Sequence, residues 1–178
     1  MKKIEWFWNV IHYMLYRWDI NFSIALNYAL PFYWINKIPV VKRHKARNGM
    51  PDMNGFYRGM MNDPKHGASI MWASIHIGGI IVLIEFSIYF LCEAFTGKDI
   101  LYEIILNNTY LIIPALILQL IIPYWINNQL LFKNDKYLDY FTEFDLKDIK
   151  WKIKWGFITL LLILFAIGSF WGSLILTH

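Results

Sequence analysis

Polar side chains are sparse and regularly placed along this chain, and their placement predicts a bundle of helices. Three long apolar runs stand out, at residues 68–92, 104–126 and 155–177. Each is long enough to cross a hydrocarbon layer of about 30 Å at about 1.5 Å per residue. The first contains two ionisable side chains, His76 and Glu85, and the third contains none. A fourth helical segment is predicted over residues 4–30, ended by Pro31. Within it Glu5, Asn9, His12, Tyr16, Asp19, Ser23 and Asn27 recur at spacings of four and three, one narrow polar stripe on an apolar cylinder. Such a helix either lies in the membrane interface with its stripe toward water, the reading preferred here, or forms a fourth span with the stripe turned inward.

Two further segments join these elements. Residues 42–67 combine a basic run with Gly49, Pro51, Gly55, Gly59 and Pro64, and are expected to form an irregular loop. Over residues 133–154, Tyr137, Phe141, Phe144 and Trp151 recur near a helical period among lysines and acids, which predicts an amphipathic helix. Asp145 and Asp148 are placed to restart a helix toward the last span. The expected fold is an all-α integral membrane protein, one membrane domain over residues 1–178.

Composition supports this class. Of 178 residues, 57% are hydrophobic and 17% charged, too apolar for an ordinary soluble domain. One cysteine, Cys92, precludes an intrachain disulfide or a cysteine metal cluster. Charge then assigns sides. Seven Lys and Arg fall between Lys37 and Lys65 and six between Asn127 and Lys154, against Lys98 alone between the first two runs. By the positive-inside rule, segments 37–66 and 127–154 are cytoplasmic and the C-terminus faces outward, in a cell inner (plasma) membrane. The net charge of +4 is accounted for by this clustering, and no nucleic-acid partner is expected.

The candidate chemistry lies at the intramembrane polar points. Nine residues at about 100° each place His76 and Glu85 on opposite faces, so neighbours are expected on both sides. Counting inward from the run ends matches His76 in depth with Gln119, and Glu85 with Tyr110 and Ser169. Pro114 is expected to free the Tyr110 carbonyl, and Glu85 to hydrogen-bond either to that carbonyl or to Ser169. Glu85, His76, Gln119 and Ser169 are therefore the ion-pathway candidates, and Glu5, His12 and Asp19 a relay or a solvated face. Gly168 and Gly172, four apart, allow close approach of another helix, inside the chain or outside it. Lys42, Arg43, Lys45 and Arg47 suit anionic lipid, an acidic partner or a plain topology anchor.

No metalloprotease, nucleophile-elbow or phosphate-loop motif is present, so no enzyme activity, cofactor or metal is expected. The function expected is that of a homo-oligomer or a subunit of a membrane complex, with a pore or ion pathway as its sharpest form. Its competitor is a non-conducting scaffold that recruits a cytoplasmic partner.

Overall fold

The computed structural model describes residues 2–49, 53–97, 110 and 112–177. Among them the chain is all-helical, with eight α-helices: α1 (Lys2–Ala29), α2 (Pro31–Lys37), α3 (Pro39–Arg47), α4 (Met53–Asn62), α5 (Ala68–Thr96), α6 (Ile112–Asn127), α7 (Lys136–Asp145) and α8 (Ile149–Thr177).

Helices α5 and α8 form the frame. Both have 29 residues, about 43 Å at 1.5 Å per residue. They run parallel and nearly level: near their starts both pack on α1, through Ser74 and Trp155, and farther along both helices Ser87 meets Ser169, an offset of 82 in sequence. Both are long and apolar enough to cross a membrane, and only 22% and 17% of their most apolar stretches are buried. Apolar side chains such as Ile88, Phe165 and Ile175 point outward, as expected of helices solvated by lipid instead of water. The second predicted run, residues 104–126, is less complete. Its first part, residues 104–109 and 111, lies outside the described residues, and α6 supplies 16 residues.

Helix α1 begins and ends within two residues of expectation, but its stripe does not face water. Asn9, His12 and Tyr16 are buried against α5, α7 and the turn after α6. Donors and acceptors on those elements meet Glu5, Asn9 and His12, so the first half of the polar face is the packing face. Helix α1 also crosses its neighbours instead of following them: Trp6 rests on Trp155, and Trp18, twelve residues later, rests beside Gly156. Twelve residues advance α1 by about 18 Å while the contact on α8 moves by one residue.

The predicted loop over 42–67 is largely helix. Pro39 occupies the first turn of α3, where its missing amide costs nothing. Gly49, at φ 62°, closes that segment. Gly55 and Gly59 fall inside α4 despite their poor intrinsic propensity, and α4 is held from outside, where the Tyr16 hydroxyl donates to the Asn62 carbonyl over 2.6 Å. Gly67 precedes α5 under a steric constraint: a Cβ there would collide with the carbonyl oxygens of Asp63 and Met61.

The segment predicted as one helix over 133–154 is divided. After α6 a wider π-helical turn covers Asn128–Phe132, followed by a 3-10 turn at Lys133–Asp135. Asn134 and Asp135 both adopt left-handed φ values, 62° and 53°, which turn the chain sharply so that α7 folds back against α1. Helix α8 then starts at Ile149, six residues earlier than the apolar run, and takes in Lys150, Lys152 and Lys154. Asp148 caps it, accepting the Trp151 amide at 3.0 Å.

The core sits where these pieces meet, around the first turns of α5 and α8. Tyr13, Phe141 and Phe144 are buried there, with Trp6, Trp151 and Trp155 packed edge to face and tilted around them.

Candidate functional site

Polar side chains collect in two places, and the richer one was not the one expected. At the crossing of α1, the Glu5 carboxylate accepts from Lys136 Nζ at 3.0 Å and from the Tyr140 hydroxyl at 3.3 Å. One turn on, Asn9 uses its amide twice, donating to the Glu5 carbonyl at 2.8 Å and to the Leu130 carbonyl at 3.0 Å. Leu130 belongs to the π-helical turn, so Asn9 supplies a donor to backbone displaced from regular helix. Trp8 Nε1 donates to Asn127 Oδ1 at 3.3 Å.

His12 is fully buried at the centre of this region. Its Nε2 lies 3.1 Å from Ser74 Oγ, and that hydroxyl already donates to the Ile70 carbonyl at 2.7 Å. Nε2 must therefore carry the hydrogen, which leaves Nδ1 a bare acceptor, buried with no partner among the described residues. Desolvation lowers the His12 pKa to about 3, outweighing the nearby Ile70 carbonyl, which pulls it up. Burial holds the ring neutral. A relay through it would need a protonated state that the site disfavours.

Beyond His12, the Tyr13 hydroxyl donates to Asp145 at 2.6 Å, with Arg17 3.9 Å from the same carboxylate oxygen. Burial, then the Asp145 charge, pushes the Tyr16 hydroxyl up to about 12, and Tyr13 is raised further by burial and its bond to Asp145. Asp19 stands apart. One carboxylate oxygen is sealed from solvent, and the side chain makes no hydrogen bond or ion pair among the described residues. It lines a cavity of about 640 Å³ between α1, α4, α5 and α8, which His76 lines as well.

The second place is on α5 and α6. His76 does not meet Gln119: its Nδ1 lies 2.7 Å from the Trp72 carbonyl on its own helix. Gln119 instead donates to Glu85 Oε2 at 2.6 Å, while Oε1 is buried without a partner among the described residues. Ser169 meets Ser87 at 3.1 Å, not Glu85. The expected depth match fails by a nine-residue slide of α6, about 14 Å. It took residue 126 as the inner end of the run, yet Asn127 lies beside Gly78, well up α5, and the chain continues through the π-helical turn below that level. Pro114 is the third described residue of α6, and because residues 104–109 and 111 lie outside the described residues, the expected opening of the Tyr110 carbonyl falls outside them too. Pro123, inside the helix, frees the Gln119 carbonyl.

The opposite faces assigned to His76 and Glu85 hold, with α1 beyond one and α6 beyond the other. Gly168 and Gly172 are exposed, with open space where a Cβ would stand, so they pack against nothing described in this chain. Lys42, Arg43 and Arg47 are exposed on α3, and Lys45 reaches Asn36. No three His, Cys, Asp or Glu side chains gather among the described residues where an ion could be held.

Tyr13 and Ser74 were missed as members of the polar network, while Asn9 was read in the stripe without its partners. Asn9 and Tyr13 carry the helical repeat of the stripe and its border, while nothing local marks Ser74. No protein-family model, curated protein or solved structure matches this chain. The fold and the sites define a helical protein with two candidate membrane-crossing helices, and function is argued from geometry alone.

Proposed function

We propose that this chain is a multi-pass membrane protein that works as a non-conducting structural subunit, in a homo-oligomer or a larger membrane complex. Helices α5 and α8 cross the bilayer and α6 enters it beside α5. Helices α1 and α7 lie at the cytoplasmic interface as a collar around the base. The basic helix α3 then faces anionic headgroups, consistent with the positive-inside rule.

The observation that carries this reading is the empty small-residue face of α8. Gly168 and Gly172 lie on the outward side of a helix whose other side packs on α5, and nothing described in the chain fills the space beside them. Glycines four apart let a second helix approach to backbone contact, the main source of helix association where lipid removes the hydrophobic drive. The non-conducting form is favoured over a pore because Glu85 Oε2 is engaged by Gln119 and Ser87 by Ser169 within one chain.

Particle mass in lipid nanodiscs tests the assembly. The native chain is expected to form a defined multimer, and Gly168→Leu with Gly172→Leu to reduce it to single chains without loss of helicity. Proteoliposomes test the rest: no ion flux is expected, and a flux altered by Glu85→Gln would restore the pore.

A further inference from the structure

We infer that the cavity under α1 binds a primary ammonium group carried on an apolar chain. This inference goes beyond the structural role proposed above and does not depend on assembly. The cavity, about 640 Å³, has the size of a small-molecule site and walls that are mostly apolar. Its polar residues are few: Asp19, Ser23 and His76, with the indoles of Trp18 and Trp72. The Asp19 carboxylate lines it and makes no hydrogen bond or ion pair among the described residues, which leaves an acceptor for a donor bound there. His76 contributes a second acceptor. A carbonyl can only accept, so His76 Nδ1 donates to Trp72, and in the neutral ring Nε2 keeps a bare lone pair.

Carboxylate and imidazole nitrogen ask for a cation that has N–H bonds to give. A primary ammonium has three, whereas a quaternary ammonium has none and an anionic headgroup would be repelled by Asp19. Trp18, Phe22 and Trp72 also line the cavity, and aromatic rings attract cations. The remaining wall, with Leu26 and Ile163, suits an aliphatic chain. Two sources share this chemistry: an ethanolamine phospholipid and a single-chain alkyl amine.

The test uses the full-length protein in choline-phospholipid nanodiscs and reads tryptophan quenching, since Trp18 and Trp72 border the site. Chain-brominated ethanolamine phospholipid is compared with chain-brominated choline phospholipid at equal mole fraction, and dodecylamine with dodecyltrimethylammonium as competitors. The primary ammonium compounds are expected to act at about tenfold lower concentration than their quaternary counterparts, the scale of a charge-assisted hydrogen bond. Asp19→Asn should abolish that preference and His76→Phe should narrow it. If only dodecylamine shows the Asp19-dependent effect, the occupant is a free amine; if the phospholipid shows it, a lipid. Equal action of both headgroup types on the native protein, or a preference that survives Asp19→Asn, overturns the inference. Should Asp19→Asn not fold, His76→Phe and the cavity-filling Leu26→Trp decide, and an undiminished preference in both overturns it equally.

Discussion

The two ends of α5 use polar residues in opposite ways. Near its start, Ser74, His12, Asn9, Glu5 and Lys136 form a connected region drawing on α1, α5, α7 and the π-helical turn, wrapped in aromatic rings. Farther along, Glu85 with Gln119 and Ser87 with Ser169 are isolated pairs, each tying one helix to one other. The first arrangement fixes where several elements meet. The second fixes only which faces of two helices touch. Polar groups thus specify the fold most tightly where a transverse helix gives them several partners.

Removing packing separates the two ends most strongly. Phe144→Ala, in the fully buried aromatic centre, is expected to cost about 3–5 kcal/mol, whereas Phe165→Ala, 65% exposed on α8, should change stability by about 0.5 kcal/mol or less. Equilibrium unfolding in mixed micelles measures both. Similar losses would mean that the two ends share one core.

The next effect is a pH dependence confined to the base. His12 is neutral in the folded protein down to about pH 3 but takes a proton near pH 6.5 when unfolded, so the unfolded state gains protons first as pH falls. Its contribution to stability is therefore intact above pH 6.5 and is lost at about 1.4 kcal/mol per pH unit below it, about 2 kcal/mol by pH 5. Unfolding free energies of the native chain and of His12→Gln, compared at pH 7 and pH 5, should differ by that amount. Parallel pH profiles would show that His12 is hydrated.

The smallest expected effect lies in the isolated pair. A double-mutant cycle with Glu85→Leu and Gln119→Leu should give a coupling of about 0.6–1.7 kcal/mol, the range for interhelical hydrogen bonds in membranes. Coupling near zero would break the pairing of α5 with α6 at this level.

What the sequence disclosed follows the reach of each signal. Helix α1, the two long helices and the opposed faces of His76 and Glu85 were legible because periodicity and hydropathy act within one segment. The partners of Glu85 and His76 were not, since they depend on how far α6 slides along α5, which no local pattern in either run encodes. Helix α4 was hidden by glycines whose weak propensity is offset by a tertiary bond from Tyr16. The buried direction of the α1 stripe was equally out of reach: a polar stripe looks the same whether water or Lys136, Ser74 and Leu130 answer it.

The level, parallel pairing of α5 and α8 sets an order of events during synthesis. Ile149 follows Ala68 by 81 residues, so at about 5–20 residues per second α5 waits about 4–16 s before its main partner begins to emerge. Helix α1 is already made by then, and its His12–Ser74 contact with α5 involves no residue of α8. The transverse helix can serve as a temporary companion, shielding the base of α5 until the second long helix arrives.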